Sequence, residues 1–400
     1  MSVINEEYRM IVIQGAGITG LVLAGLLERR GLDYRLVERT MQMYAVGAGI
    51  VLQRNALEVL DRLHEADFDA VSTPIEQMLI GSAEEPVLQA LSLDHASRAR
   101  GVHRGDLQQF LLQQIDPARL CLGTSVESWK DRQTRLDVTL SSGECLRADV
   151  LVGADGIASG VRRSLSGAPR VRDSGQWCAR TVVAGRPTGA DAWEIHAGRH
   201  RLGVVPLPGE RSYVFWVRSH HPDECIPQED IEASVRSLGP LGGAVAALFT
   251  PRQSWLQHPL TDIPISWGRG RVVLVGDAAH ALTPNLGQGA ALGIEDAYVL
   301  AGLLGVDGPH ASRPAEQLRR LRHARVSSVR RISYLMGKVA HLENPRLCRL
   351  RSRLLKATSP ARSRRRLSQW LDRFPVEDMQ PTGPRLHRWD RETAVSKVTL

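Results

Sequence analysis

Apolar and polar positions alternate between two periods along this chain, and the switches between them mark its elements. Ile11 to Ile13 is a short unbroken apolar run that ends at Gly15. Such a run, bounded by a glycine turn, reads as a buried strand. Leu21 to Arg29 is apolar at helical spacing and Gly31 follows it, so a helix is expected there with its stop in place. Tyr34 to Glu38 predicts a second strand, and Val46-Gly47-Ala48-Gly49-Ile50 a glycine-rich passage. After residue 100 the chain predicts a helix opened by Arg104, a hairpin from Leu136 to Leu146, and an apolar strand that runs into Asp155-Gly156. Residues 173 to 267 change character, with short strands, several prolines and most of the tryptophans. Val204 to Gly209 reads as a strand with a turn, and Tyr213-Val-Phe215-Trp216-Val217 alternates as a strand does. Arg271 to Leu300 then predicts a buried strand, a proline-containing loop, a glycine-rich turn and a helix.

Composition narrows the class. Four hundred residues with 43% hydrophobic and 24% charged content suit a globular enzyme with substantial cores. The sequence contains no apolar run long enough to span a bilayer. The first nine residues, MSVINEEYR, do not read as a secretory leader. Five scattered cysteines (Cys121, Cys145, Cys178, Cys225 and Cys348) with no C-x-x-C predict neither a disulfide framework nor a zinc site. A reducing cytoplasm is the expectation.

Three motifs carry chemistry. Gly15-Ala-Gly17-Ile-Thr-Gly20 lies between a predicted strand and helix, and Glu38 follows Gly20 by 18 residues at the end of the second strand. This is the pattern of a dinucleotide site, with the phosphates at a helix N-terminus and a carboxylate on the ribose. Ala148-Asp-Val-Leu-Val-Gly-Ala-Asp155-Gly156 ends a strand and leads into a basic helix start at Arg162 and Arg163. Asp-Gly is also a common turn dipeptide, so alone it stays ambiguous. Val272-Val-Leu-Val-Gly-Asp277-Ala-Ala-His280, followed by Pro284-Asn-Leu-Gly287-Gln-Gly289-Ala290, puts an Asp at a strand end and glycines at a helix start. There the backbone can approach a flat ring without a Cβ in the way.

Together the three motifs resemble those of the group A, single-component FAD-dependent aromatic hydroxylases, over roughly residues 8 to 340. The resemblance implies an α/β fold: a Rossmann-like FAD-binding domain in three pieces (1–70, 100–172 and 268–340) with an inserted antiparallel substrate sheet (71–99 and 173–267). Residues 341–400 would be basic C-terminal helices and a tail. It implies that Gly15, Gly17 and Gly20 pack the FAD pyrophosphate, that Glu38 holds the ribose, and that Arg39 and the backbone of Val126, at the end of a strand 124–126, lie by the adenine. Arg104 would reach the FAD from the other side. Asp277 would accept ribityl or pyrophosphate-side hydrogen bonds. Pro284 and Gly287 to Ala290 would line the isoalloxazine, with the N–H groups of Gly289 and Ala290 stabilising charge at its N1/O2 edge. Asp155 and Arg162 would support FAD and the surface where NAD(P)H docks. The implied reaction is hydroxylation of a small aromatic or heteroaromatic substrate by NAD(P)H and O2, through a flavin C4a-hydroperoxide.

The substrate side is read from residue type alone. Tyr213 and Phe215 would face the flavin from one side of their strand, or Trp216 from the other, and Arg180 or Arg201 would pair with a substrate anion. His196 and His280 are considered as bases, and no catalytic base is assigned. An FAD-dependent reductase or oxidase that inserts no oxygen is the alternative. A flavin halogenase would carry a Trp-x-Trp-x-Ile-Pro motif, absent here, and an inactive scaffold would not need an intact Gly-Asp turn.

The net charge of +8 comes mostly from beyond residue 315. Six arginines lie between Leu318 and Met336, and Leu347, Leu350, Leu354 and Leu355 recur at helical spacing among further arginines. One reading is a pair of helices packing its leucines on the FAD domain with arginines in water. The other is an amphipathic surface for anionic lipid or a partner. No nucleic-acid-binding module accompanies the charge. A monomer or homodimer is expected.

Overall fold

The computed structural model describes residues 10–43, 47–63, 68–93, 98–219, 226–306 and 313–363. The chain starts with β1 (Met10–Gln14), α1 (Ile18–Glu28) and β2 (Asp33–Glu38). Later pieces supply β3 (Val150–Gly153) and β4 (Val272–Leu274), then α2 (Gly289–Val306), α3 (Pro314–Ala340) and α4 (Pro345–Ala357). A six-stranded sheet runs Gly268–Arg269, β4, β3, β1, β2, Leu120–Leu122. Its central pairs are parallel, which explains why β1, β3 and β4 read as unbroken apolar runs: both faces are covered. α1 and α2 are nearly apolar all round because each is buried on several sides.

The second layer is a seven-stranded sheet ordered Leu256–Asp262, Arg172–Ala184, Arg211–Ser219, His200–Leu207, Ala192–Ala197, Gln77–Ser82, Gln89–Ser92. It is antiparallel except where Ala192–Ala197 meets Gln77–Ser82 in parallel. Of the segment 71–99, Gln77–Ser82 and Gln89–Ser92 join this sheet. Ser72–Ile75 instead joins Gly49–Gln53 and Ala99–His103 in a small antiparallel sheet. Two helices, Gln228–Arg236 and Gly239–Ala246, cover one face of the large sheet through Ile231, Val235 and Val245. Its other face looks toward the small sheet: Tyr213 packs on Gly49, where an added Cβ would lie 2.3 Å from the Tyr213 Cβ.

α3 leaves Arg319, Arg320 and Arg331 in water but not the rest of its arginines. Arg322 and Arg325 neutralise Glu295 and Asp296 of α2 in the interior, the Arg322 Nε–Asp296 Oδ1 distance being 2.8 Å. A buried charge is tolerated only when paired in this way. The leucines of α4 depart from the packed reading as well: Leu347, Leu350 and Leu354 are exposed.

Candidate functional site

The three motifs meet at one end of the six-stranded sheet, and their glycines divide into two kinds. Gly15 has φ of +105°, and a Cβ there would lie 2.6 Å from the Ala154 carbonyl oxygen. A Cβ on Gly20 would lie 1.9 Å from the Gly15 oxygen. These two let β1, α1 and β3 approach one another. Gly17 differs: its φ is −74° and a Cβ would meet nothing within 4 Å. The α1 N-terminus has no side-chain cap and no acidic residue in its first turn. Its free N–H groups and the space beside Gly17 suit a pyrophosphate.

Glu38 turns back to this start, accepting the Ala16 N–H at 2.8 Å and the Thr40 N–H at 3.0 Å. Arg39 is exposed next to it. Val126 opens the strand Val126–Asp131 rather than closing one at 124–126, and its N–H donates to Gln14 Oε1 at 2.5 Å. The helix Arg104–Leu112 closes the other side, where Gln108 donates to the Ala16 carbonyl at 2.8 Å. Arg104 is exposed and lies against Gly47. Val46 falls outside the described residues.

Asp155 works locally. Its Oδ2 accepts the N–H groups of Gly160 at 2.7 Å and Val161 at 3.2 Å, capping the helix Gly160–Ser166. Arg162 is buried, not on a docking surface, because its guanidinium donates to the carbonyls of Pro264, Ala278 and Ala279. Through Arg162 the Asp-Gly segment braces the Gly-Asp segment. His280 is likewise structural: it is fully buried with Nε2 2.5 Å from Asp296, which also accepts the Gly276 N–H.

Asp277 begins the short helix after β4 and opens onto the cleft. Enclosure by the surrounding protein raises its pKa, against the pull of His280, Arg104 and Arg180. Pro284 starts a single 3-10 turn, and Gly287 takes the left-handed conformation (φ +64°) that ends it. α2 then begins at Gly289, where a Cβ would come no nearer than 4.0 Å to Asp277 Oδ1. Ala290 is the next residue of that first turn. Two side chains outside the motifs clamp this loop. Gln53 donates to the Leu286 carbonyl at 3.3 Å, and Asn55 donates to Gln288 at 3.0 Å and to Glu295 at 2.6 Å. Sequence reading missed both. The one signal was a polar Gln53-Arg54-Asn55 closing an apolar strand.

The large sheet supplies the opposite wall. Strand register puts Cys178, Arg180, Tyr213, Phe215, Arg201 and His258 on the face toward the loop. Phe215 lies over Gly203, with Tyr213 5.6 Å away and the Arg201 guanidinium 5.7 Å from its ring. Arg201 also donates to Asn285, inside the 3-10 turn, at 2.8 Å. Burial opposes the charge on Arg180, and nearby Cys178, Tyr213 and Asp277 outweigh it, so its pKa rises. Burial raises the Tyr213 hydroxyl pKa, against Arg180, and the group stays neutral. His258 is lowered to about 4 by burial and by Arg180. Trp216 is not at the site. Alternation turns it to the far face, fully buried under the two covering helices. Among the described residues, no group of three or more His, Cys, Asp or Glu could hold a metal.

Comparison with known proteins agrees with this geometry. Residues 8–310 match the family model described as FAD binding domain. The chain is 34% identical over 373 residues to 2-heptyl-3-hydroxy-4(1H)-quinolone synthase of Pseudomonas aeruginosa, covering 90% of this chain and 97% of that protein. It is 30% identical over 376 residues to 3-amino-4-hydroxybenzoate 2-monooxygenase of Streptomyces cremeus, covering 89% and 93%. The fold is similar to that of Klebsiella pneumoniae HpxO complexed with FAD and uric acid, with a TM-score of 0.83 at 21% identity over 96% of this chain and 100% of that one.

Proposed function

The chain belongs to the FAD-binding family of flavoprotein aromatic monooxygenases, and from that premise we propose that it hydroxylates a bicyclic N-heteroaromatic of the 2-alkyl-4(1H)-quinolone type, with NAD(P)H as reductant. FAD-dependent oxygen insertion into an aromatic substrate is the family activity. The uncapped α1 start, the open sides of Gly17 and Gly289 and the Gly287 turn fit the cofactor. Glu38, Arg39, Arg104, Val126 and Asp277 would surround it, with Pro284, Gly287, Gly289 and Ala290 along the ring edge. When bound, FAD supplies the electron transfer from NAD(P)H and the activation of O2.

The observation that carries the substrate reading is the composition of the opposite wall. Tyr213 and Phe215 give a flat apolar surface, and Arg180 puts a half-buried cation beside it, near Asp277. A 4-quinolone has a flat ring, an N–H acid and an oxygen on which negative charge gathers when that proton leaves. Loss of the proton raises electron density at the neighbouring ring carbon, where oxygen is added. Arg180 would stabilise that oxygen's charge in a site shielded from water. His258, which burial and Arg180 keep neutral, would add no second positive charge to compete with Arg180 there. Arg201 would hold Asn285, and with it the ring-edge loop, against the sheet. The relative that makes a 2-heptyl-3-hydroxyquinolone supports the same substrate class.

The test is to supply 2-heptyl-4(1H)-quinolone, NAD(P)H and isotopically labelled O2 to the yellow protein. The reading expects substrate-triggered NAD(P)H oxidation and product carrying one labelled oxygen. NAD(P)H oxidation that yields only hydrogen peroxide, across quinolones and aromatic acids alike, would replace it with an oxidase.

A further inference from the structure

Among the described residues, six of the large exposed apolar side chains gather on one surface, while the others are scattered. Leu335, Met336 and Val339 at the end of α3 and Leu347, Leu350 and Leu354 of α4 are all exposed, between 40% and 59%. Val339, Leu342, Leu347, Leu350, Leu354 and Leu355 line a groove of about 280 Å³. α4 is held firmly while its leucines face out. Arg351 folds inward and donates to the carbonyls of Val339 at 3.1 Å and Ala340 at 2.7 Å. Gln89 of the large sheet donates to the carbonyls of Leu355 at 3.3 Å and Thr358 at 3.1 Å. Solvent exposure of such a stripe is costly, and soluble monomers seldom keep one without a use for it.

Charge selects the occupant. From Asn344 to Leu371 the sequence has nine Lys or Arg and no Asp or Glu. Leu347, Leu350 and Leu354 form one stripe, and Arg346, Arg349 and Arg353 run beside it one position earlier. Long cationic side chains at the edge of an apolar stripe can reach phosphates while the leucines enter the acyl boundary. A second copy of the chain would set this cationic helix against itself. The chain's own residues 362–371, with four arginines, would also add like charge. We propose that the α3–α4 surface docks on an anionic lipid bilayer, lying on it rather than crossing it. No described helix is long and apolar enough to span one.

The surface lies close to the ring-edge loop. A Cβ on Gly337 of α3 would lie 2.4 Å from the Asn285 side chain, two residues before Val339 enters the groove. Docking there would bring the substrate wall near the bilayer, where an apolar substrate dissolves.

The test is co-sedimentation of the full-length, FAD-loaded protein with vesicles of phosphatidylglycerol and phosphatidylcholine, or of phosphatidylcholine alone. The protein should pellet with the anionic vesicles and stay in the supernatant with the neutral ones. Leu347→Ser, Leu350→Ser and Leu354→Ser together should lower the bound fraction roughly ten-fold without changing flavin content. Arg349→Glu with Arg353→Glu should do the same by reversing charge while leaving the leucines in place. A wild-type protein that ignores anionic vesicles overturns the proposal, as does a triple serine variant that binds as wild type. A wild-type dimer that the serine variant turns into a monomer would give the groove to a second copy instead.

Discussion

The N-termini of α1 and α2 pack near one another at the same end of the sheet, and both are rich in glycine. They use it for opposite purposes. Gly20 and Gly293 sit where helices meet their neighbours: a Cβ on Gly20 would lie 1.9 Å from a backbone oxygen, and one on Gly293 2.2 Å from Thr19 Oγ1. Gly17 and Gly289, each three or four residues earlier, have open space where the Cβ would go. A motif of glycines is thus two requirements overlaid, close packing of the protein on itself and access for a ligand. Substitution should separate them.

Gly20→Ala is expected to have the largest effect. The new methyl meets backbone, which cannot move aside as a side chain could. With the Cβ 1.9 Å from a backbone oxygen, the cost should lie well above the roughly 1–3 kcal/mol of ordinary overpacking. Soluble yield and thermal midpoint should fall with or without FAD. Gly289→Val should leave the midpoint of the cofactor-free protein near wild type and act on the cofactor instead. Turning aside one N–H at the ring edge should cost on the order of 2.7–4 kcal/mol, as in oxyanion sites. Flavin content, reduction rate and the ratio of hydroxylated product to NAD(P)H consumed are the readouts. Two variants that unfold alike, or two that behave as wild type, would break the distinction between the glycines.

Glu38→Ala sharpens it at the other end of the ligand. Loss of a charge-assisted hydrogen bond to ribose should weaken FAD binding by on the order of 1.5–3 kcal/mol, with little change in the chemistry of flavin that stays bound. Glu38 also accepts from Ala16 and Thr40, so it holds the α1 approach in shape. A variant that loses thermal stability but keeps FAD affinity would make Glu38 a packing residue like Gly20, not a ligand residue like Gly17.

These motifs were legible because strand, turn and helix follow one another in the chain, and each glycine's requirement is set by residues close in sequence. What holds them in place was not. Gln53 and Asn55 clamp the loop from 233 residues away, and Arg322 reaches Asp296 from another helix. Nothing local distinguishes such a Gln or Arg from a solvated one. Alternation in Tyr213 to Val217 gave two faces, but helices formed by residues 228–246 decide which is covered. Trp216 went to that side and Phe215 to the site. Helical spacing likewise found the leucines of α4 without revealing that no described element covers Leu347, Leu350 and Leu354.

The smallest expected effect comes from the large sheet's side of the cleft, where the comparison turns from glycines to titratable groups. His341 ends α3 beside the sheet, and burial, then Arg201 and His196, lower its pKa to about 3. The folded protein therefore keeps it neutral, while the unfolded chain takes up a proton near the ordinary value of 6.5. Between those values the unfolded state binds more protons, so this contribution is complete above about pH 6.5 and is lost progressively as pH falls. At about pH 5 the loss should be on the order of 2 kcal/mol. His258 acts in the same direction. Asp277, with its raised pKa, acts in the opposite one, since the fold binds its proton more readily than the unfolded chain does. His341→Gln removes one of these groups and leaves the helix starts untouched. Urea unfolding at about pH 7.5 and about pH 5 should show a smaller acid loss in the variant than in wild type, with equal flavin content at the higher pH. An unchanged acid loss would move the titration to another group, and a loss of flavin would mean that the sheet and the ring-edge loop are coupled through Arg201 more tightly than the separation of the two regions allows.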